Sequence, residues 1–117
     1  MSKKVLLDTN FLVECVRFRI DLFSEIDRLL PSFKLFILDR SLEELNYIKI
    51  KDRNLIDLFI KKFEIVKTKD FSSEYSVDDI LTELSKDYIV ATQDKELKKR
   101  LKGNKIIIRQ KRYLELK

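Results

Sequence analysis

The chain contains no histidine. That removes Ser-His-Asp and Cys-His catalysis, and with them any zinc site that depends on imidazole. A single glycine, Gly103, allows neither a phosphate-cradling P-loop nor the Gly-rich turn of a dinucleotide fold. One cysteine, Cys15, excludes an intrachain disulfide. Among its apolar neighbours it reads as a small buried hydrophobe, and a reducing cytoplasm is the expected compartment. No apolar run approaches the roughly 20 residues that cross a bilayer. Residues Met1, Ser2, Lys3 and Lys4 lead into only a short apolar segment without a small-residue cleavage site, so neither a membrane span nor a secretory leader is expected. What remains for chemistry is carboxylates, hydroxyls, lysines and bound metal. Acid–base work near neutrality would fall to water activated by a cation, or to an Asp, Glu or Lys of shifted pKa.

A length of 117 residues, 44% of them hydrophobic, suits one compact domain over residues 1–117. The net charge of +5 leans toward a polyanionic partner. The same abundance of Lys, Glu and Ile is also a thermophile-like bias, so charge decides little. Apolar runs predict strands over residues 3–7, 34–38, 88–92 and 105–108, the last of these taken as the final strand, with a short edge strand at 65–67. Helical spacing predicts helices over 11–18, 21–30, 41–50, 54–63, 76–86 and 95–101. Pro31 stops the second helix and Gly103 ends the last. Leu42, Leu45 and Ile48 are expected to face inward from the third, and Leu55, Leu58 and Phe59 from the fourth. Strands alternating with helices imply an α/β fold: a three-layer α/β/α sandwich, Rossmann-like, around a mostly parallel sheet.

Four acidic residues stand where such a sheet would gather them. Asp8 closes the run Val5-Leu6-Leu7, and Asp94 closes Tyr88-Ile89-Val90-Ala91-Thr92-Gln93. Ligand sites in open α/β sheets form beyond the carboxyl ends of strands, at the switch point. Each acid has a plainer role available. Asp8 and Asp94 would serve as helix N-caps. Ser41-Leu42-Glu43-Glu44 is a capping-box pattern with Ser41 as cap, and periodicity does not choose between Glu43 and Glu44. In Ser76-Val77-Asp78-Asp79 the capping role falls to Asp79, which leaves Asp78 free to point away. Together, two strand ends and two helix starts make an oxygen-rich set suited to Mg²⁺ or Mn²⁺.

These blocks resemble the PIN-domain nuclease family. Val5-Leu6-Leu7-Asp8-Thr9-Asn10-Phe11-Leu12 resembles its first strand and Asp-Thr-Asn opening, and Ser41-Leu42-Glu43-Glu44-Leu45 its second block. Ser76-Val77-Asp78-Asp79-Ile80-Leu81 and the stretch from Tyr88 to Arg100 resemble the third and fourth. The last looks closest to the archaeal and eukaryotic branch that includes a ribosomal RNA processing enzyme. The resemblance implies a Mg²⁺- or Mn²⁺-dependent endoribonuclease whose acidic quartet is Asp8, Glu44, Asp78 and Asp94. Asp79 stands in for Asp78 if the alignment shifts by one, and Asn10 and Thr92 support the ligands from behind. Lys98, Lys99, Arg100, Lys102, Arg109, Lys111 and Arg112 would guide RNA by its phosphates, while Tyr47 and Tyr113 would stack on bases. The alternatives are a toxin-type ribonuclease paired with an antitoxin, a PIN-like module that binds RNA or protein without cutting, and a plain α/β interaction domain. A homodimer is a further expectation, from apolar faces on edge helices.

Overall fold

A computed structural model describes residues 2–49 and 51–117. Met1 of the leader reading and Ile50, the last residue of the expected third helix, lie outside them. The chain runs β1 (Lys3–Leu7), α1 (Thr9–Arg17), α2 (Leu22–Leu29), β2 (Phe33–Leu38), α3 (Asp39–Asn46) and α4 (Arg53–Ile60). It continues through β3 (Glu64–Val66), α5 (Val77–Leu84), β4 (Ile89–Ala91), α6 (Lys95–Arg100), β5 (Lys105–Arg109) and β6 (Tyr113–Leu116). The strands form one sheet in the order β3-β2-β1-β4-β5-β6. All neighbours are parallel except β5 and β6.

Side chains alternate across the pleat, and the sheet sorts them accordingly. Val5, Leu7, Leu35, Ile37, Ala91, Ile106 and Ile108 point into one core, which is closed by Phe11, Cys15, Ile26, Leu45 and Ile56 from α1 to α4. Leu6, Leu38 and Val90 point into a second core with Ile80, Leu81 and Leu97 from α5 and α6. Helices on both faces make the expected α/β/α sandwich. After β3 the chain leaves the far side of the sheet and re-enters as β4 on the other side of β1, so the switch point lies between β1 and β4. Among the described residues no helix is long and apolar enough to cross a membrane.

Four sequence expectations change. The third helix starts at Asp39, directly after β2, with Leu38 at its N-cap position. Ser41 therefore lies inside the helix with its hydroxyl buried and unpartnered among the described residues, and no capping box forms with Glu44. That helix ends at Asn46, which leaves Ile48 outside it and 40% exposed. In α4 the inward residues are Ile56, Phe59 and Ile60, continued by Phe63, while Leu55 and Leu58 are exposed. Two stripes at helical spacing compete there, and the core formed with α1 and α2 takes the second. Finally, β6 was not expected. The turn before it places Gln110 and Lys111 at φ 52° and 55°, a geometry that usually announces itself with Asn or Gly.

Candidate active site

Asp8 leaves the end of β1 with its backbone still paired to the neighbouring strand, its N–H donating to the Ala91 carbonyl at 3.0 Å. It sits in the N-cap position of α1 but caps nothing with its side chain. The buried Thr92 hydroxyl donates instead to Asp8 Oδ2 at 2.8 Å and accepts the Asp94 N–H at 3.2 Å. One hydroxyl thus joins the two strand-end acids across the switch point. Asp94 caps α6, its Oδ1 accepting the Leu97 N–H at 2.9 Å.

Asp79 takes the capping role expected of it from the sequence. Ser76 and Asp79 close a reciprocal capping box, and Arg100 pairs with Asp79 Oδ1 at 2.7 Å. The Ser76 N–H and Arg100 hold the Asp79 carboxyl down at about 2. A residue so fully engaged is a poor substitute ligand, whereas the Asp78 carboxylate is left to its acidic neighbours.

Electrostatics ties the quartet together. Burial pushes the Asp8 pKa up; the Thr92 hydroxyl holds it back, and the charges of Asp78 and Asp94 push it further. Glu44 is raised by desolvation, then by Asp8 and Asp78. Asp78 is raised by desolvation and by Asp94, with Arg100 opposing. Glu44, exposed on α3, is near enough to Asp8 and Asp78 to feel their charge, while its neighbour Glu43 lines an open cleft beside Asp39, Arg40 and Lys69.

The donor set fits a hard divalent cation: oxygen only, carboxylate-rich, with mutual repulsion that a cation would relieve. The buried Thr9 hydroxyl next to Asp8 also lacks a partner among the described residues. Among those residues, however, no three acidic or thiol side chains converge closely enough to cage an ion as they stand. Electrostatic coupling at longer range and the absence of a closed cage are compatible. The acids share the edge of the sheet where β1, β2 and β4 end.

The basic residues are dispersed. Arg100 stands beside the acids on Asp79. Lys98 and Lys99 follow α6 away from Asp94, with Lys99 near Glu96 at 3.7 Å. Lys102 lies at the opposite edge of the sheet, in a cleft with the first residues of β1 and β4. Arg109 pairs with Glu115 at 3.3 Å, and Lys111 Nζ lies 5.6 Å from the centroid of the Phe18 ring. Arg112 is exposed in the turn between β5 and β6. Asn10 is exposed beside Asp8, Tyr47 is exposed at the far end of α3, and Tyr113 lies on the edge strand.

Three further residues organise this edge. Asp39 ends β2 as Asp8 ends β1, yet its role is structural. Burial would raise its pKa, but hydrogen bonds from the Thr68 hydroxyl (2.6 Å), the Thr68 N–H (3.2 Å) and the Arg40 N–H (2.8 Å) outweigh that and lower it. The Arg40 guanidinium donates to the carbonyls of Tyr75 (2.8 Å), Phe71 (3.2 Å), Ser72 (3.4 Å) and Thr68 (3.5 Å), gripping the loop that leads into α5. Gln93 accepts the Ile108 N–H at 2.6 Å and donates to its carbonyl at 3.3 Å, extending the pairing between β4 and β5. A strand-end acid followed by Arg was the available signal for the first two; Gln93 had none.

Sheet order and switch-point acids together define a class of small α/β protein with acidic residues along one edge of the sheet. A family model described as a PIN-like domain matches residues 5–112, and the chain belongs to that family. It is 34% identical to Ribonuclease VapC4 of Methanocaldococcus jannaschii over 125 aligned residues, covering 97% of this chain and 95% of that protein. The solved structure of the PIN domain endonuclease Utp24 superposes with a TM-score of 0.79 at 25% identity, covering 97% of this chain and 90% of that one.

Proposed function

We propose that this chain is a divalent-metal-dependent endoribonuclease that hydrolyses RNA phosphodiester bonds at the edge formed by Asp8, Glu44, Asp78 and Asp94. The observation that carries the reading is the Thr92 hydroxyl bridge between Asp8 and Asp94 at the two strand ends of the switch point, with Glu44 and Asp78 near enough for their charges to act within the same set. Membership in the PIN-like family and likeness to a protein named a ribonuclease support it. Asp8 and Asp94 would hold Mg²⁺ or Mn²⁺, with Asp78 beside them and Glu44 holding a second ion or orienting water. The bound cation would supply a lowered water pKa and neutralise charge developing at phosphorus. The chain's own contributions are positional. Thr92 fixes one oxygen of Asp8 and ties it to the Asp94 backbone. Asp79 keeps Arg100 near the acids, where its charge would meet a substrate phosphate.

Within this reading, structured ribosomal RNA is the first substrate to test, from the resemblance of the last block to the processing branch. A second reading is a toxin-type ribonuclease held by a small antitoxin. The exposed apolar residues Tyr47, Ile48, Leu55 and Leu58 favour it, since they offer a partner or a second copy of the chain an apolar surface. A small gene beside this one, whose product binds the chain, would support that version. The cytoplasm suits either.

The deciding experiment is Mn²⁺-dependent cleavage of a ribosomal RNA fragment by the native chain and by Asp8→Asn. Cleavage that needs metal and disappears in the variant is the expected result. If the native chain neither cleaves RNA nor binds Mn²⁺, the reading fails, and of the four acids only Asp94 keeps a structural role, as the cap of α6.

A further inference from the structure

We propose that the opposite edge of the sheet carries a second RNA contact, a cleft around Lys3, Lys4, Lys86 and Lys102 that binds the phosphate backbone remote from the acidic edge. The choice of RNA as the polyanion rests on the ribonuclease reading; the cleft itself does not.

The cleft has a volume of about 540 Å³ and opens where β1, β4 and β5 begin. Asp87 is the single carboxylate among its described lining residues, against four lysines. Among the described residues, Lys86 is the only one of the four in an ion pair, to Glu83 at 2.8 Å. Lys4 Nζ lies 4.6 Å from the centroid of the half-buried Tyr88 ring, which forms part of the wall.

The ordinary explanation for lysines at this edge is that α5 and α6 end there, and cations offset the negative ends of helices. That accounts for Lys86 and Lys102. It does not account for Lys3 and Lys4, which open a strand, because strands carry little net dipole. Lys4 is the register partner of Lys34 on β2, and its Nζ reaches the other way, over Tyr88 beside β4. Lys4 thus adds its charge to the cleft, and the four ammonium groups there, opposed by Asp87 and by the Glu83 partner of Lys86, leave a net positive site for a polyanion. The molecule thus has a basic edge and an acidic edge, separated by the length of the strands. It measures 35 × 32 × 27 Å, so a folded or extended RNA that touches both edges must pass around the sandwich, and a very short one cannot.

The test uses the full chain in EDTA, where binding is read without cleavage. Fluorescence anisotropy would follow an RNA of about 20 nucleotides and one of about four at several salt concentrations, since each phosphate contact to a single strand contributes about 0.7 to the slope of log K against log salt. The variants are Lys3→Gln, Lys4→Gln, Lys86→Gln and Lys102→Gln combined, and the same four positions changed to Arg. We expect the Gln set to lower the slope for the long RNA by roughly 2 to 3 and to weaken binding at least about tenfold. The Arg set should bind as the native chain does, because the cleft reads charge, and the short RNA, with fewer phosphates to offer, should show a smaller loss of slope in the Gln set. An unchanged slope in the Gln set overturns the proposal. So does lysine-dependent binding to anionic phosphatidylserine vesicles without binding to RNA. The two readings fail separately: lost cleavage with intact lysine-dependent binding sinks the nuclease and leaves the cleft, and normal cleavage with an unchanged slope sinks the cleft alone.

Discussion

The Thr92 hydroxyl offers the sharpest test of how the acidic edge is held. Thr92→Val keeps the shape of the side chain and removes its hydroxyl. Thr92 is fully buried and Asp8 is 8% exposed, so water cannot readily replace the donor to Asp8 Oδ2. A hydrogen bond to a charged group contributes about 1.5–3 kcal/mol, and the variant should lose an amount in that range at neutral pH. The sign with pH follows from the direction of the shift. Asp8 is already raised above the ordinary carboxylate value, chiefly by burial, and the Thr92 hydroxyl is the main influence holding it down. Losing that donor raises Asp8 further, so the penalty is full above the raised value. It shrinks as pH falls and Asp8 takes up a proton in both proteins. Urea unfolding of the native chain, Thr92→Val, Asp8→Asn and the double variant, at neutral and acid pH, completes the cycle. If Thr92→Val costs as much in the Asp8→Asn background as in the native one, the hydroxyl is not acting through the Asp8 charge and the account of the site is wrong.

Other expectations follow from neighbouring contacts. Ser76→Ala should cost about 1 kcal/mol through loss of the capping box, read by thermal unfolding. Arg40→Met should release the loop it grips, seen as faster hydrogen exchange at residues 68–76, and Arg40→Lys should not restore protection because an ammonium cannot span four carbonyls. Asp79 is depressed to about 2. Its contribution is therefore complete above the ordinary value near 3.8 and lost as pH falls toward 2, so Asp79→Asn should destabilise at pH 7 and cease to differ from the native chain in strong acid. Gln93→Ala should lower stability by about 1–2 kcal/mol and speed exchange of the Ile108 amide; unchanged exchange would rule out the strand-like role of that side chain.

The sequence was most legible where one physical pattern had no rival. Val5-Leu6-Leu7 and Val90-Ala91 had to be buried on both faces, and the switch-point acids followed from their ends. Ser76 and Asp79 could be paired because no earlier residue competed to start α5. Around Ser41 the same capping logic failed, because β2 passes into α3 without a break and Asp39 has already entered the helix. In α4 two apolar stripes were equally periodic, and only packing against the rest of the core decided between them. The second strand of the last hairpin was hidden by turn residues that carry no turn signature. Asp39, Arg40 and Gln93 act through partners 15 to 35 residues distant in the chain, a distance at which local pattern carries no information.

The chain has one glycine, yet Arg19, Asp52, Gln110 and Lys111 all take positive φ. Each such residue costs roughly 1–2 kcal/mol that glycine would avoid, while a glycine-poor chain has fewer disordered conformations to give up on folding. The protein thus carries its conformational cost in the native state at three corners: Arg19, Asp52 and the Gln110–Lys111 turn. Glycine at Asp52 or Gln110 would relieve local strain but enlarge the unfolded ensemble, leaving overall stability nearly level. What would change is dynamic. The corners that feed α4 and β6 would yield more easily, and the timing of motions at the margins of the sheet would shift while its centre stayed fixed.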